Sequence, residues 1–455
     1  MTASQKDQIP SQARKVIVAA SLGTIVEWYD YALFGAAAGL VIGPLFFPEQ
    51  GGTAGVLAAL ATFAVGFVVR PVGGVLLSNL GDRYGRKFAI TTTILLMGIG
   101  TFGIGVLPTA AAIGIWAPVM LLILRVVQGF GAGAELTGAI VMVAESIPPR
   151  RRGLITAVVN SCSLVGILLA TVVFLAASSL DDAAFMTWGW RLPFLASSVL
   201  FLLALYIRNN LSETIEFAAA RTEDAALGVD DKRSAPIREL YTKYRARTVI
   251  GFFLWTGQNC IGYITFTFIV VYLTHYTDIS RTSALAISGV GGLICIFMGP
   301  VFGYLGDRYG HAYVLIASSV ATILFAVPFF ALLQSGSIIN ALFATVIAEG
   351  IVVAAAGGVI GAIAANLFPT RVRYSGMTIG KELNAAVVAG PTPFIATALL
   401  GSNGEPWLVA AFVATTASMT LAALLAGRKF VFPPSKPESA RPTPITDDNR
   451  QGATQ

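Results

Sequence analysis

Gly81-Asp82-Arg83-Tyr84-Gly85-Arg86-Lys87 is answered 225 positions later by Gly306-Asp307-Arg308-Tyr309-Gly310-His311. The five residues GDRYG are identical in both copies, and each copy follows one apolar run and precedes another. A second pair of segments keeps the same order: Pro148-Pro149-Arg150-Arg151-Arg152-Gly153, then Pro369-Thr370-Arg371-Val372-Arg373-Tyr374-Ser375-Gly376. Two coincidences in register point to a duplicated chain. When membrane halves repeat in parallel, a substrate site is expected between them near the midplane.

Outward from these motifs, the apolar runs set the fold class. Twelve spans are expected near 16–42, 55–79, 88–107, 113–144, 154–178, 190–207, 248–274, 282–305, 312–333, 338–366, 375–400 and 406–427. About 20 apolar residues cross a bilayer as a helix, whereas a membrane strand alternates and needs only about 9–11 residues. Helices also satisfy their own backbone groups in hydrocarbon. The chain has 455 residues, 55% hydrophobic and 12% charged. Soluble domains carry about 25% charged residues, so much of this surface faces something other than water. The reading is an all-α membrane protein of twelve helices in two pseudo-symmetric six-helix bundles. The first bundle is assigned to residues 1–207 and the second to 248–430, around a central loop at 208–247 and ahead of a disordered tail at 431–455.

The net charge is +6, and its placement carries the information. Lys and Arg gather at 83–87, 150–152, 208–247, 308 and 371–373, and near both ends, while the alternate loops are nearly free of them except for Arg281. The positive-inside rule therefore puts both termini and the central loop in the cytoplasm, in what is expected to be a bacterial inner (plasma) membrane. Basic segments this short, between spans, argue against nucleic-acid binding, which would need a basic face on a soluble domain. Cys162, Cys260 and Cys295 lie in apolar stretches, and His275 and His311 do not cluster. No metal site, disulfide framework or cofactor is expected. The run from Val16 to Ile42 is too long for a signal peptide and reads as the first span.

Gly81 to Lys87 resembles the hallmark loop of the major facilitator superfamily, and Arg125-Val-Val-Gln128-Gly129-Phe-Gly131-Ala-Gly133 resembles its fourth-helix motif. Five further stretches are similar to the metabolite:H+ symporter family: Glu27-Trp28-Tyr29-Asp30-Tyr31, Arg70-Pro71-Val-Gly73-Gly74, Gly133-Ala-Glu135, Trp190-Arg191-Leu-Pro193-Phe194 and Pro369 to Gly376. The resemblance implies symport of a proton with an organic acid; some members of that family carry zwitterions such as proline and betaine. It also implies that Asp82 and Arg86, with Glu145 at the end of span four, latch the halves together. Arg83, Asp307 and Arg308 join the gating set through the repeat.

Physically, Gly81 and Gly85 permit a tight reversal. Asp82 can face a helix N-terminus, and Arg83, Arg86 and Lys87 can hold the loop at the cytoplasmic surface. The plainer alternative is a loop that only sets topology. In the second half His311 stands where Arg86 stands, and Asn366 where Glu145 stands, so the second latch is expected to be weaker or absent. The glycines at 129, 131 and 133 superficially match a dinucleotide loop, but they lie inside an apolar helix, where they favour close helix packing.

Ionisable groups inside the spans are the functional candidates, because each costs about 2.5–3.5 kcal/mol at a helix centre even on lenient scales. They are Glu27, Asp30, Arg70, Arg125, Glu135, Glu349, Lys381 and Glu382. Glu27 and Asp30 share a helix face. A carboxyl in a partly dry cavity holds its proton more tightly than in water, which is the chemistry a proton-coupled carrier needs. Asp30, Glu27 and Glu135 are assigned to proton coupling. Arg125, Arg70, Gln128, Glu349, Lys381, Tyr31, Gln258 and Asn384 are assigned to substrate; Glu349, which the repeat pairs with Gln128, can bind a proton or a donor group on the substrate, with an interhelical hydrogen bond as the plainer alternative. Arg125 is expected near Glu27 or Asp30, where a substrate carboxylate would compete for it. Adjacent on a helix, Lys381 and Glu382 point about 100° apart and need not pair; charge balance alone would let Lys381 meet Asp30 or Glu27 across the halves. The alternative for all of them is a set of structural ion pairs. Aromatic residues at span ends, Trp188, Trp190 and Trp407, read as interfacial anchors.

Together these features describe a secondary transporter, not an enzyme, that takes up a small organic acid anion with protons by alternating access. Its partners are that small molecule, H+ and membrane lipid, and a monomer is expected. A zwitterion carrier, an exchanger or an exporter of the same fold is the nearer alternative, and a membrane receptor or enzyme the remote one.

Overall fold

The computed structural model describes residues 11–50, 52–210, 236–400 and 404–432. Most of the central loop and nearly all of the proposed tail lie outside the described residues. Twelve helices are long and apolar enough to cross a membrane. They are α1 (Ala13–Ala37), α2 (Ala61–Tyr84), α3 (Arg86–Val106), α4 (Trp116–Ser146), α5 (Pro149–Ser178) and α6 (Arg191–Asn209) in the first bundle. The second holds α7 (Arg245–Thr274), α8 (Ser283–Tyr309), α9 (His311–Gln334), α10 (Ile338–Leu367), α11 (Thr370–Leu400) and α12 (Trp407–Ala426). No strand occurs among the described residues.

Within the first bundle α1 packs on α5, and α4 on both α2 and α3; within the second, α9 packs on α12 and α8 on α10. Between the bundles, α2 packs on α11 and α5 on α8. The repeat relates α2 to α8 and α5 to α11, so the two cross-bundle seams are copies of each other. Large apolar side chains such as Phe297, Leu324, Phe394 and Val199 stand exposed on the outside, where lipid replaces water as solvent. Glycines set the closest approaches: a Cβ on Gly129 would lie 2.2 Å from the Gly66 carbonyl oxygen, and one on Gly133 2.0 Å from that of Arg70. This is the packing role expected of the fourth-helix glycines.

Two local expectations are corrected. Helix α2 does not stop near 79; it runs to Tyr84, so Gly81 lies within its last turns and only Gly85 makes the reversal, at φ 115°. Gly310 repeats this at φ 103°. Gly81 is required for a different reason, since a Cβ there would meet the Tyr374 ring at 2.6 Å. Trp190 is not an interfacial anchor. It is fully buried, edge-on to Phe46 and Phe194, whereas Trp188 and Trp407 are exposed.

The second bundle also departs from regular α-helix. Wide π turns interrupt α7 at Ile264–Phe268, α10 at Ala348–Val353 and α11 at Ala385–Ala389. Such turns are rare and often sit at functional sites.

Candidate functional site

Glu27, Asp30, Arg70 and Arg125 of the first bundle converge on one cleft with about 300 Å³ of empty space, which Tyr31, Phe67 and Gln128 also line. Each is aimed there by helix periodicity. Glu27 and Asp30 share one face of α1, three residues apart, and Arg125 and Gln128 do the same on α4.

One half of the cleft is a chain of ion pairs that crosses between bundles. Arg70 Nη2 donates to Glu27 at 2.6 Å, Arg70 Nε reaches Glu382 of α11 at 3.4 Å, and Lys381 Nζ pairs with Glu382 at 2.7 Å. Lys381 and Glu382 therefore do pair, which their helical spacing did not require, because the lysine stem is long enough to fold back. Lys381 reaches Glu27 only through Glu382 and Arg70.

The other half is a hydrogen-bonded relay. Asp30 accepts from Thr101 at 2.6 Å and from the Gln128 amide, while the Gln128 carbonyl accepts from Arg125. Arg125 therefore meets Asp30 through Gln128, not directly. No carboxylate pairs with Arg125 among the described residues. Its guanidinium lies over the Phe34 ring at 4.0 Å and donates to the Phe63 carbonyl at 3.2 Å, and its Nε has no partner. A buried cation held by aromatic faces and neutral acceptors is desolvated without being neutralised. Tyr31 closes the cleft against Phe63, Phe67 and Trp28. Thr101, Phe34 and Phe63 were missed by sequence reasoning, because a threonine or phenylalanine in an apolar run carries no signal of its own.

Four other candidates lie elsewhere. Glu135 is fully buried and bound by Arg208 of α6 and by Thr93, which makes it a tie between α3, α4 and α6 outside the cleft. Arg208 was not singled out, since it reads as one more basic residue at a span end. Asn384 binds Asn259, Thr256 and the Phe252 carbonyl, clamping α11 to α7. Gln258 lies beside Gly357 and Asn160, between α10 and α5, with its Oε1 unpartnered. Glu349 is enclosed in the second bundle.

The basic face carries the gating candidates. Arg86 is fully buried, not spread on the surface. It pairs with Asp82 at 2.6 Å and Glu145 at 3.2 Å, and donates to the Thr370 carbonyl at 2.5 Å. Arg373 of α11 joins Glu145 at 3.0 Å, and Asp82 accepts the Ser375 backbone N–H at 2.8 Å. Asp82 thus caps the N-terminal turn of a helix in the other bundle. At the repeat position Asp307 accepts the backbone N–H groups of Gly153 and Leu154 at 2.7 and 2.9 Å and pairs with His311 at 2.9 Å. Arg152 donates to Asn366 at 3.0 Å. The second set is thus formed, with a histidine and an amide where the first has an arginine and a second carboxylate. Arg83 and Arg308 lie over the rings of their neighbours Tyr84 and Tyr309.

Comparison with known proteins agrees with this architecture. Residues 15–426 match the family model described as "Sugar (and other) transporter". The proline/betaine transporter of Escherichia coli K12 is 36% identical over 412 residues, which covers 90% of this chain and 82% of that protein. The shikimate transporter of the same strain is 37% identical over 399 residues, covering 87% and 90%. The fold is shared with the proton:xylose symporter XylE bound to 6-bromo-6-deoxy-D-glucose, at a TM-score of 0.76, 18% identity, and coverage of 93% and 97%.

Proposed function

Because this chain belongs to the sugar (and other) transporter family, within the major facilitator superfamily, we propose that it carries a small carboxylate-bearing metabolite together with a proton by alternating access. The observation that carries the reading is Arg125: a buried guanidinium in the cleft with no carboxylate paired to it among the described residues. An incoming carboxylate supplies the missing anion. Asp30 is the proton site. Gln128 joins the two, so an anion on Arg125 releases the Gln128 carbonyl, and a proton on Asp30 removes an acceptor from the Gln128 amide. Glu27, Arg70, Glu382 and Lys381 tie α1 and α2 to α11, and the tie is remade as the bundles rock.

The basic face is the cytoplasmic one, by the positive-inside rule, in a bacterial inner membrane. There the Asp82–Arg86–Glu145–Arg373 and Asp307–His311 sets close the inner gate.

The leading substrate is an organic acid anion. A zwitterion is the second reading, favoured by the proline/betaine relative and by the ring cluster of Trp28, Tyr31, Phe63 and Phe67 beside the carboxylates, which suits a quaternary ammonium. Proteoliposomes loaded at alkaline pH and diluted into acid separate the two. Labelled shikimate is expected to accumulate, to leak out with an uncoupler, and to stay at background in Arg125→Ala. Asp30→Asn is expected to abolish gradient-driven accumulation while keeping exchange of internal for external substrate. Accumulation of labelled glycine betaine but not shikimate would replace the anion by the zwitterion. Full proton-driven uptake by Asp30→Asn would remove the proton assignment.

A further inference from the structure

The repeat places Glu349 of α10 where α4 has Gln128. Gln128 is fully engaged, bonded to Asp30, Thr101 and Arg125. Glu349 is in the opposite condition. It is completely buried, and neither carboxylate oxygen has a hydrogen-bond partner. It stands in the π turn Ala348–Val353, which turns it toward α8, where a Cβ on Gly291 would lie 2.5 Å from Oε2.

Its surroundings offer no counterion. On α8 the titratable neighbour is Cys295, whose thiol has no positive charge to give. From α7 comes Thr265, a neutral hydroxyl that stands beside the Glu349 carboxyl and also bonds the Gly262 carbonyl at 3.2 Å. Helix α9 reaches the π turn through Ser318, which donates to the Val352 carbonyl at 2.9 Å. No arginine, lysine or histidine pairs with Glu349 among the described residues. An ionised carboxylate taken out of water with no cation beside it is among the most costly groups a protein can bury, and such a group neutralises instead. A cation bound there would want several oxygen ligands, and no cluster of metal-ligating side chains occurs among the described residues. A proton needs only the carboxylate.

We propose that Glu349 is a second proton-binding site, inside the second bundle, which holds a proton while α7, α8 and α10 are closed around it and exchanges that proton when they part. The wide turn and the glycines of α8 supply the give that such parting needs. Of the two roles the sequence allows Glu349, holding a proton or meeting a donor group on the substrate, this is the first, because the residue is fully buried and is not among the groups that line the cleft holding Arg125. The inference deepens the proton-coupled reading and rests on it only for the use made of the proton.

Its test needs no substrate, so it stands or falls separately from that reading. Infrared spectra of the full chain in lipid vesicles report a protonated carboxyl through its C=O band, which shifts in deuterated water. At neutral pH the unmodified chain is expected to show this band and to lose it on alkaline titration. Glu349→Gln is expected to lack the band, while the Glu27→Gln, Asp30→Asn double variant keeps it. Glu349→Asp retains a carboxyl and guards against a folding failure; its band is expected to move in frequency. A Glu349→Gln spectrum identical to the unmodified one, or an unmoved band in Glu349→Asp, overturns the proposal. So does a band that neither titrates nor exchanges with deuterium, which would mark a permanently sealed acid.

Discussion

The two seams between the bundles share a backbone plan and differ in side-chain chemistry. At α2–α11, Asp82 takes the Ser375 N–H, and Glu145 sits between Arg86 and Arg373. At α5–α8, Asp307 takes the Gly153 and Leu154 N–H groups, His311 replaces Arg86, and Asn366 replaces Glu145 as the acceptor for Arg152. Duplication has kept the cross-bundle helix cap, which depends on backbone and one aspartate. Among the described residues it has not kept the carboxylate at the centre of the buried ion-pair lock, since Asn366 stands where Glu145 stands. One seam has, among the described residues, a carboxylate shared by two arginines and the other an amide in its place, so the basic face is expected to yield first along α5–α8.

The sharpest way to break this comparison is to remove the two equivalent acceptors. Glu145→Ala leaves Arg86 and Arg373 facing each other without their shared carboxylate, and breaking a buried pair in this way costs about 3–5 kcal/mol. Asn366→Ala removes a single hydrogen bond to a cation, worth about 1.5–3 kcal/mol. Unfolding midpoints of the purified chain in detergent are expected to fall much further for the first. Equal losses would mean that the seams are fastened alike.

The shared part of the plan has its own test. Gly85 and Gly310 have nearly the same backbone, at φ, ψ of 115°, 152° and 103°, 124°. Alanine is strained in that region by about 1–3 kcal/mol. Gly85→Ala and Gly310→Ala are expected to lower the unfolding midpoint by similar amounts, and a large difference between them would show that the reversals are not equivalent.

These seams also show what was legible in the chain beforehand. The GDRYG repeat and the apolar runs specify twelve helices in two bundles, because hydrocarbon leaves a polypeptide few choices. The convergence of Glu27, Asp30, Arg70 and Arg125 was legible for the same reason: charges this costly in lipid must find a wet or paired place, whereas the neutral Gln128 was reached through the repeat. Their partners were not. The Lys381–Glu382 pair, the Gln128 relay and the isolation of Glu349 depend on side-chain reach and on π turns. Glu135 misled because its partner Arg208 sits at a span end, where an arginine is expected anyway. The same holds for Trp190, whose place near a span end gave no sign of its burial.

The smallest effect gives the finest test. His311→Arg restores the residue type of the first seam, and Asn366→Glu restores its acceptor. Either change alone lacks its counterpart, since Arg86 binds both Asp82 and Glu145. His311→Arg alone keeps the Asp307 pair and is expected to change stability by less than about 1 kcal/mol. The two together build a second charged lock, and neighbouring groups of this kind couple by about 0.5–3 kcal/mol beyond the sum of the single changes. Because His311 is partly exposed, the lower end of that range, about 0.5 kcal/mol, is expected. A double-mutant cycle on the unfolding midpoint reads the coupling. Spin-label distances across the basic face read its consequence, a population moved toward the closed form. A lock at both seams must be broken on every cycle, so the double variant is expected to turn over more slowly while binding substrate as before. A double variant that gains stability but turns over at the unmodified rate would show that the α5–α8 seam does not control opening.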